Sequence, residues 1–331
     1  MKDKKIVVIG GGTGTFVVLS GLKDKLSKLS AIVSMADSGG SNRIIRDEFG
    51  LLPTSDIRQC FVALASGSTE TQKIMRDLFI YRFDKGDYAG MTFGNLFMAA
   101  LTDILGSQEK AIKKTGKVLR VSGKVIPITL SDIHLMAKYE DGEITKGEHF
   151  IDEPPSRHDG KKRIIDLWTE PEATAGKDAL FEVKSADLII LGPGDLYTSL
   201  LANIVIKGVA VAIRKSKARL VYVLNLMTRM GQTYNFTALD HINEVKKYLG
   251  KFPDIVLLNK RPIPENISKR YLKEENSVPV KDDLDNKFPF RIIKKNFISN
   301  KVYQKAKSDL LKRSLIRHDP EKLAKVIIEL L

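Results

Sequence analysis

The residues of this sequence best suited to chemistry stand in short loops that close apolar runs. The first loop, Gly10-Gly-Gly-Thr-Gly14, follows Ile6-Val-Val-Ile9 and leads into Thr15. A strand, a glycine turn and a helix start place backbone N–H groups where an anion is favoured. Glycine also lets the backbone approach a ligand closely. Gly11, Gly12, Thr13, Gly14 and Thr15 are therefore candidates to hold phosphate. Against the dinucleotide pattern G-x-G-x-x-G, Gly10 and Gly12 fit but the last position is Thr15, so NAD(P) binding stands only as an alternative. A turn that merely packs strand on helix is the plainer reading.

A second loop, Met35-Ala-Asp-Ser-Gly-Gly-Ser-Asn-Arg43, follows the second apolar run. Asp37 could hold Mg²⁺ or a sugar hydroxyl, with Ser38, Gly39, Gly40 and Ser41 taking phosphate oxygens and Arg43 adding charge. An Asx turn or a helix cap would also explain Asp37. Further on, Asp56 is a helix cap or a site residue, and Arg58 lies near the same crevice. Gly94 and Asn95 open another helix and either present amides to a ligand or serve close packing. The strongest later signal is Leu191-Gly-Pro-Gly-Asp-Leu-Tyr-Thr-Ser199, where Gly192, Pro193 and Gly194 end a strand and Tyr197, Thr198 and Ser199 follow. Asn225 and Thr228 close one more apolar run.

These loops need a scaffold that brings strand ends together. Lys5–Ile9 and Ala31–Met35 read as buried strands flanking an amphipathic helix, and Leu188–Leu191, Leu220–Leu224 and Ile255–Leu258 each follow a helical segment. Continuous apolar strands alternating with helices predict a doubly wound, mostly parallel, Rossmann-like α/β sheet. The glycine loops at 10–14 and 192–194 would then flank its switch-point crevice. Between residues 121 and 170, Val125–Thr129, Ile133–Tyr139 and Ile144–Ile151 are strand-like, with Glu140-Asp-Gly-Glu143 as a hairpin turn. That stretch predicts a small antiparallel insertion or edge region within one α/β domain spanning 1–331, since no linker or repeat interrupts the chain.

Composition narrows the partners. The 331 residues carry 54 Lys and Arg against 40 Asp and Glu, a net charge of +14. The basic residues are scattered and thicken only toward Lys294-Lys295, Lys301, Lys305, Lys307 and Lys312-Arg313, without interleaved aromatics. A solvated basic surface is expected, and no nucleic acid. Cys60 is the sole cysteine, expected to be a buried small hydrophobe in a reducing compartment. No apolar run approaches the ~18 residues of a membrane span. The apolar run Ile6–Ile9 after Met1-Lys-Asp-Lys-Lys5 is too short for a signal peptide, so a cytoplasmic location is expected. The five histidines show no metal-ligand spacing and are expected at the surface or at caps, and no metal site is expected unless Asp37 binds Mg²⁺.

Taken together, Gly10–Gly14, Ala36–Ser41, Leu52-Pro-Thr-Ser-Asp-Ile-Arg58, Phe93-Gly-Asn-Leu96, Leu191–Ser199, Asn225-Leu-Met-Thr228 and Arg317-His-Asp-Pro320 resemble the YvcK/CofD-like (UPF0052) family, in order and over almost the whole chain. The resemblance is closest to its YvcK branch, the gluconeogenesis factors. It implies a cytoplasmic bacterial regulator that binds UDP-sugars, notably UDP-N-acetylglucosamine (UDP-GlcNAc). Such a regulator would serve cell-wall synthesis and cell shape during gluconeogenic growth, with morphogenesis proteins as partners and a homodimer as its state. By the same resemblance Tyr271, in Lys269-Arg-Tyr-Leu272, and Arg317 are implicated in UDP-sugar binding. A guanidinium suits a diphosphate, and a tyrosine ring could stack on a base or a sugar. The sister branch implies an alternative, a Mg²⁺-dependent 2-phospho-L-lactate transferase that holds its metal on carboxylates after the second strand. Here Asp37 is the carboxylate at that point, Ser38 stands where a second aspartate is common, and Asp195 stands where the YvcK branch usually has serine.

Overall fold

The computed structural model describes residues 3–156, 158–285, 287–300 and 314–331, and of residues 41 and 43 the backbone alone. The strands in chain order are β1 (Lys5–Ile9), β2 (Lys28–Val33), β3 (Lys124–Pro127), β4 (His134–Tyr139), β5 (Ile144–Lys146), β6 (Ile164–Glu170), β7 (Leu188–Leu191), β8 (Arg219–Val223), β9 (Ile255–Asn259) and β10 (Arg291–Lys295). Seven of them form a parallel sheet in the order β10-β9-β8-β7-β1-β2-β3.

The apolar runs become its central strands because helices cover both faces. Along β1, Val7 and Ile9 enter the core layer on one face while Ile6 and Val8 enter the layer on the other. Every residue of β7 is buried. From β1 the chain winds outward through β2 and β3, and from β7 it winds the opposite way through β8, β9 and β10. The switch falls between β1 and β7, which run in register from Ile6↔Leu188 to Ile9↔Leu191. Their C-terminal ends open the crevice that such a sheet offers to ligands.

The expected insertion is narrower than its sequence outline. Among the described strands, antiparallel ladders join β5, β4 and β6, while Val121 makes a single antiparallel bridge to Ala65. Val125-Ile-Pro127 belongs instead to β3, which pairs in parallel with β2 at the sheet edge. Pro127 is tolerated there because an edge strand leaves one side without a ladder. The run 144–151 is a strand only to Lys146; Gly147 then turns the chain with φ +101° into a short helix, Glu148–Asp152. Tyr139 ties the insertion to the rest of the fold by donating its hydroxyl to the Gly231 carbonyl at 3.3 Å.

The C-terminal motif Arg317-His-Asp-Pro320 divides its labour. Asp319 caps the last helix, Pro320–Glu329, by accepting from the Glu321 and Lys322 amides at 3.0 Å each, and Pro320 takes the first helical position. His318 is buried rather than at the surface, and so is His241; burial pushes the His318 imidazole down to about 4 and it meets the Leu224 carbonyl at the end of β8. Cys60 is buried in the core as expected.

Candidate functional site

The crevice beyond β1 and β7 encloses about 1670 Å³, the solvent at its mouth included. Gly11, Gly12, Thr13 and Gly14 line one wall, at the start of the helix Gly12–Leu22. Pro193, Gly194, Thr198 and Ser199 line the facing wall after β7. The two loops are in contact: a Cβ on Gly14 would lie 1.6 Å from the Pro193 carbonyl oxygen. Thr15 stays out of the crevice. It is buried, and its Oγ1 would stand 2.6 Å from a Cβ on Gly10 and 3.1 Å from one on Gly192. It therefore fills the space that both glycines leave, and Gly192 belongs to packing as well.

The amide of the first loop already has an acceptor. Asp56, in the helix Ser55–Leu64, takes the Gly12 N–H on its Oδ1 at 2.9 Å. Its Oδ2 stands 2.2 Å from where a Gly11 Cβ would be. A carboxylate at a helix N-terminus is favourable, and here it stands where a phosphate would otherwise bind. Asp56→Ala is therefore expected to gain affinity for inorganic pyrophosphate by about tenfold. Titration calorimetry checks this, and equal affinities for the variant and the wild type would contradict it.

The second loop contributes less than its composition suggests. Asp37 lines the crevice, but its Oδ1 accepts from Gly39 N at 2.9 Å in an Asx turn, and Gly39 lines the crevice beside it. Ser38 turns toward the insertion: its Oγ accepts from the His149 amide at 3.1 Å and its own amide donates to Glu148 Oε2 at 3.4 Å. Gly40 is exposed and outside the lining, and the side chains of Ser41 and Arg43 lie outside the described residues. So do Lys301, Lys305, Lys307, Lys312 and Arg313 of the basic C-terminal stretch.

Three expected contacts go elsewhere. Gly94 makes room for Arg58, whose Cδ would sit 2.7 Å from its Cβ, and Asn95 is buried, donating to Ser55 Oγ at 3.2 Å. Arg58 itself lines the crevice while its Nη1 donates to the Phe79 carbonyl at 3.1 Å. Tyr197 is fully buried and donates to the Ile164 carbonyl at 3.4 Å. The six residues from Leu196 to Leu201 form a π-helical turn that sends Tyr197 into the core and Thr198 and Ser199 to the crevice.

The insertion supplies what sequence reasoning missed. Glu148, His149 and Asp152 all line the crevice from the short helix after β5. Glu148 and Asp152 are four residues apart and so share a helical face, a signal hidden by reading 144–151 as a strand. Arg229, next to the expected Thr228, bridges two walls. Its Nη2 meets Asp152 Oδ2 at 2.7 Å and its Nε lies 3.6 Å from Asp195 Oδ1. Gln232 adds a bond to Asp152 Oδ1 at 2.9 Å. Burial, then Asp37 and Asp152, push the Glu148 carboxyl well above the carboxylate range. Burial and Asp195 push Asp152 up to about 7 against the pull of Arg229.

A carboxyl whose folded value is raised stabilises the fold most below its unfolded value of ~4 and loses that contribution as pH climbs through about 7. Stability is therefore expected to fall between pH 5 and pH 8. Asp152→Asn, neutral throughout, should flatten the fall by on the order of 2–4 kcal/mol. Melting temperatures at both ends of that range check this, and identical slopes for variant and wild type would contradict it.

Beyond β8, Asn225 lines the crevice and pins the facing loop by donating to the Gly194 carbonyl at 2.6 Å. Thr228 accepts from Val278 N at 3.0 Å. Tyr271 and Arg317 complete the far wall with His318. Among the described residues no group of three His, Cys, Asp or Glu side chains forms a metal cage, and no helix is long and apolar enough to cross a membrane.

A doubly wound α/β sheet with paired glycine loops across its switch point and an arginine-bearing far wall defines an open α/β protein with a crevice where such sheets offer a ligand site. More narrowly, the family described as 2-phospho-L-lactate transferase CofD matches residues 6–298, and the chain belongs to that family. A relative from Aquifex aeolicus is 40% identical over 341 residues, covering 100% of this chain and 98% of its own. The gluconeogenesis factor of Bacillus subtilis is 36% identical over 331 residues, covering 99% and 98%. The crystal structure of a UPF0052-family protein from Bacillus halodurans matches with a TM-score of 0.88 at 34% identity over 99% of both chains.

Proposed function

We propose that the crevice binds a UDP-sugar, UDP-GlcNAc first, and that the protein is a nucleotide-sugar-responsive regulator of cell-wall synthesis and cell shape during gluconeogenic growth. The observation that carries this reading is the meeting of Arg317 with the Gly12–Gly14 and Pro193–Gly194 loops around one crevice. A guanidinium recognises diphosphate oxygens in pairs, and loop amides can share the remaining charge. The name gluconeogenesis factor, carried by the Bacillus subtilis relative, supports the metabolic setting.

A second reading, Mg²⁺-dependent transfer of the 2-phospho-L-lactate type, has one observation in its favour. Glu148 stands beside Asp37, and Mg²⁺ is ordinarily held by one or two carboxylates with phosphates and waters completing its shell. Those two residues would hold the ion, which would neutralise charge on the transferring group. The dinucleotide reading has less support, because Asp56 holds the Gly12 amide and Thr15 fills the third-glycine position.

A thermal-shift panel of UDP-GlcNAc, UDP, GDP and NAD(P), each with and without Mg²⁺, separates the three. Ligand at about a hundred times Kd stabilises by ~2.7 kcal/mol, a rise of ~4 °C for a chain of this size. The regulator reading expects that rise with UDP-GlcNAc irrespective of Mg²⁺. A rise seen only with Mg²⁺ would favour transfer, and a rise seen only with NAD(P) would overturn both.

A further inference from the structure

We infer that Tyr271 is a positioning residue whose phenol oxygen, rather than its ring face, holds the strap that carries Arg317 into the crevice. Tyr271 lies in the helix Glu265–Glu275 and is 3% exposed. Its oxygen accepts from the Leu315 amide at 2.7 Å and from the Ile316 amide at 3.2 Å. Two consecutive strap amides thus converge on one side-chain oxygen, immediately before Arg317. Burial keeps the phenol protonated, so the oxygen acts through its lone pairs.

The strap is held on its other side as well. The Ser299 amide donates to the Arg317 carbonyl at 2.9 Å, and the Asp319 amide donates to the Phe297 carbonyl at 2.7 Å. Ile316 packs with Tyr271, Ile267 and Ile298 in a small apolar cluster. Arg317 therefore leaves a backbone fixed just before it by Tyr271 and just after it by the segment following β10. Deleting the phenol oxygen leaves two strap amides without their acceptor, and a half-buried segment meets that loss by shifting toward water. Paired recognition of phosphate by a guanidinium is geometrically demanding, so a small shift of the strap is felt at the ligand.

A stacking role and a positioning role differ in what Tyr271→Phe does. The ring survives that change, so a stacking residue loses little. A positioning residue loses its function while the fold keeps its packing.

The inference rests on the reading that Arg317 meets the ligand's diphosphate, and the experiment has two arms so that the two can fail separately. The first arm is hydrogen exchange on the ligand-free full chain. Tyr271→Phe is expected to speed exchange at Leu315 and Ile316 by about tenfold or more, while Ile267→Val, which trims the same cluster, leaves those two amides protected. Unchanged exchange in Tyr271→Phe would overturn the inference whatever the ligand. The second arm is calorimetry with UDP-GlcNAc and with uridine on wild type, Tyr271→Phe, Arg317→Ala and the double variant. Tyr271→Phe should weaken UDP-GlcNAc by about tenfold, leave uridine unchanged, and add nothing to Arg317→Ala. Wild-type affinity in Tyr271→Phe, or losses that add in the double variant, would overturn the inference. Should wild type bind no UDP-GlcNAc, the proposed ligand falls and the exchange arm decides the role of Tyr271.

Discussion

Gly14→Ala is expected to lower the melting temperature by about 4 °C or more and to abolish ligand binding in the crevice. The alanine methyl would lie 1.6 Å from the Pro193 carbonyl oxygen and 2.3 Å from its carbon. Those atoms are backbone, so no side-chain rotation relieves the clash, and the two loops must part. Overpacking of this kind costs on the order of 3 kcal/mol or more. The same parting would separate the two walls that face the ligand. Stability and binding should therefore fail together, unlike the Asp56 and Tyr271 variants, which each remove side-chain oxygens and leave the two loops packed. A melting curve with a titration checks this, and a variant of wild-type stability would show that the loops are not packed as described.

Arg317→Ala is expected to weaken UDP-sugar binding by about a hundredfold while moving the melting temperature little. Its backbone stays fastened by the Ser299 amide at 2.9 Å, so truncating the side chain removes a charge-bearing fork and costs the strap the long Nε bond to the Ser314 carbonyl at 3.5 Å. Arg317→Lys should recover only part of the loss, because an ammonium cannot supply two parallel donors. Calorimetry on both variants checks the order wild type, lysine, alanine. Equal affinities for all three would remove Arg317 from the site.

Much of this architecture is legible in the residues. Ile6–Ile9, Leu188–Leu191 and Leu220–Leu224 are apolar without alternation, which only a sheet covered on both faces requires. The crevice between the runs Ile6–Ile9 and Leu188–Leu191 follows from the glycines that end each of them. What escapes sequence reading depends on long-range contact. Gly94 looks like a ligand-facing glycine because close approach by a side chain, here Arg58, asks for the same missing Cβ. Tyr197 looks equivalent to Thr198 until the π-helical turn sends the two apart. Glu148 and Asp152 join the crevice only once β4, β5 and β6 fold over it, and nothing local marks that approach. Asp195 gains a role only when Arg229 is seen next to it at 3.6 Å. Asp56 reads as an ordinary helix cap, yet its partner is an amide forty-four residues earlier.

The first glycine loop thus changes meaning. Its Gly14 serves contact between loops and its Gly12 amide serves Asp56, so the proposed anion recognition rests on Arg317 and the loop at Pro193-Gly194. Calorimetric titration of UDP-GlcNAc into the full chain, with and without Mg²⁺, decides whether the crevice takes a nucleotide-sugar. Saturable binding of one ligand per chain, independent of Mg²⁺, competed by UDP and lost in Arg317→Ala, is the expected result. Absence of heat with ligand in millimolar excess, or binding that Arg317→Ala leaves intact, would contradict it.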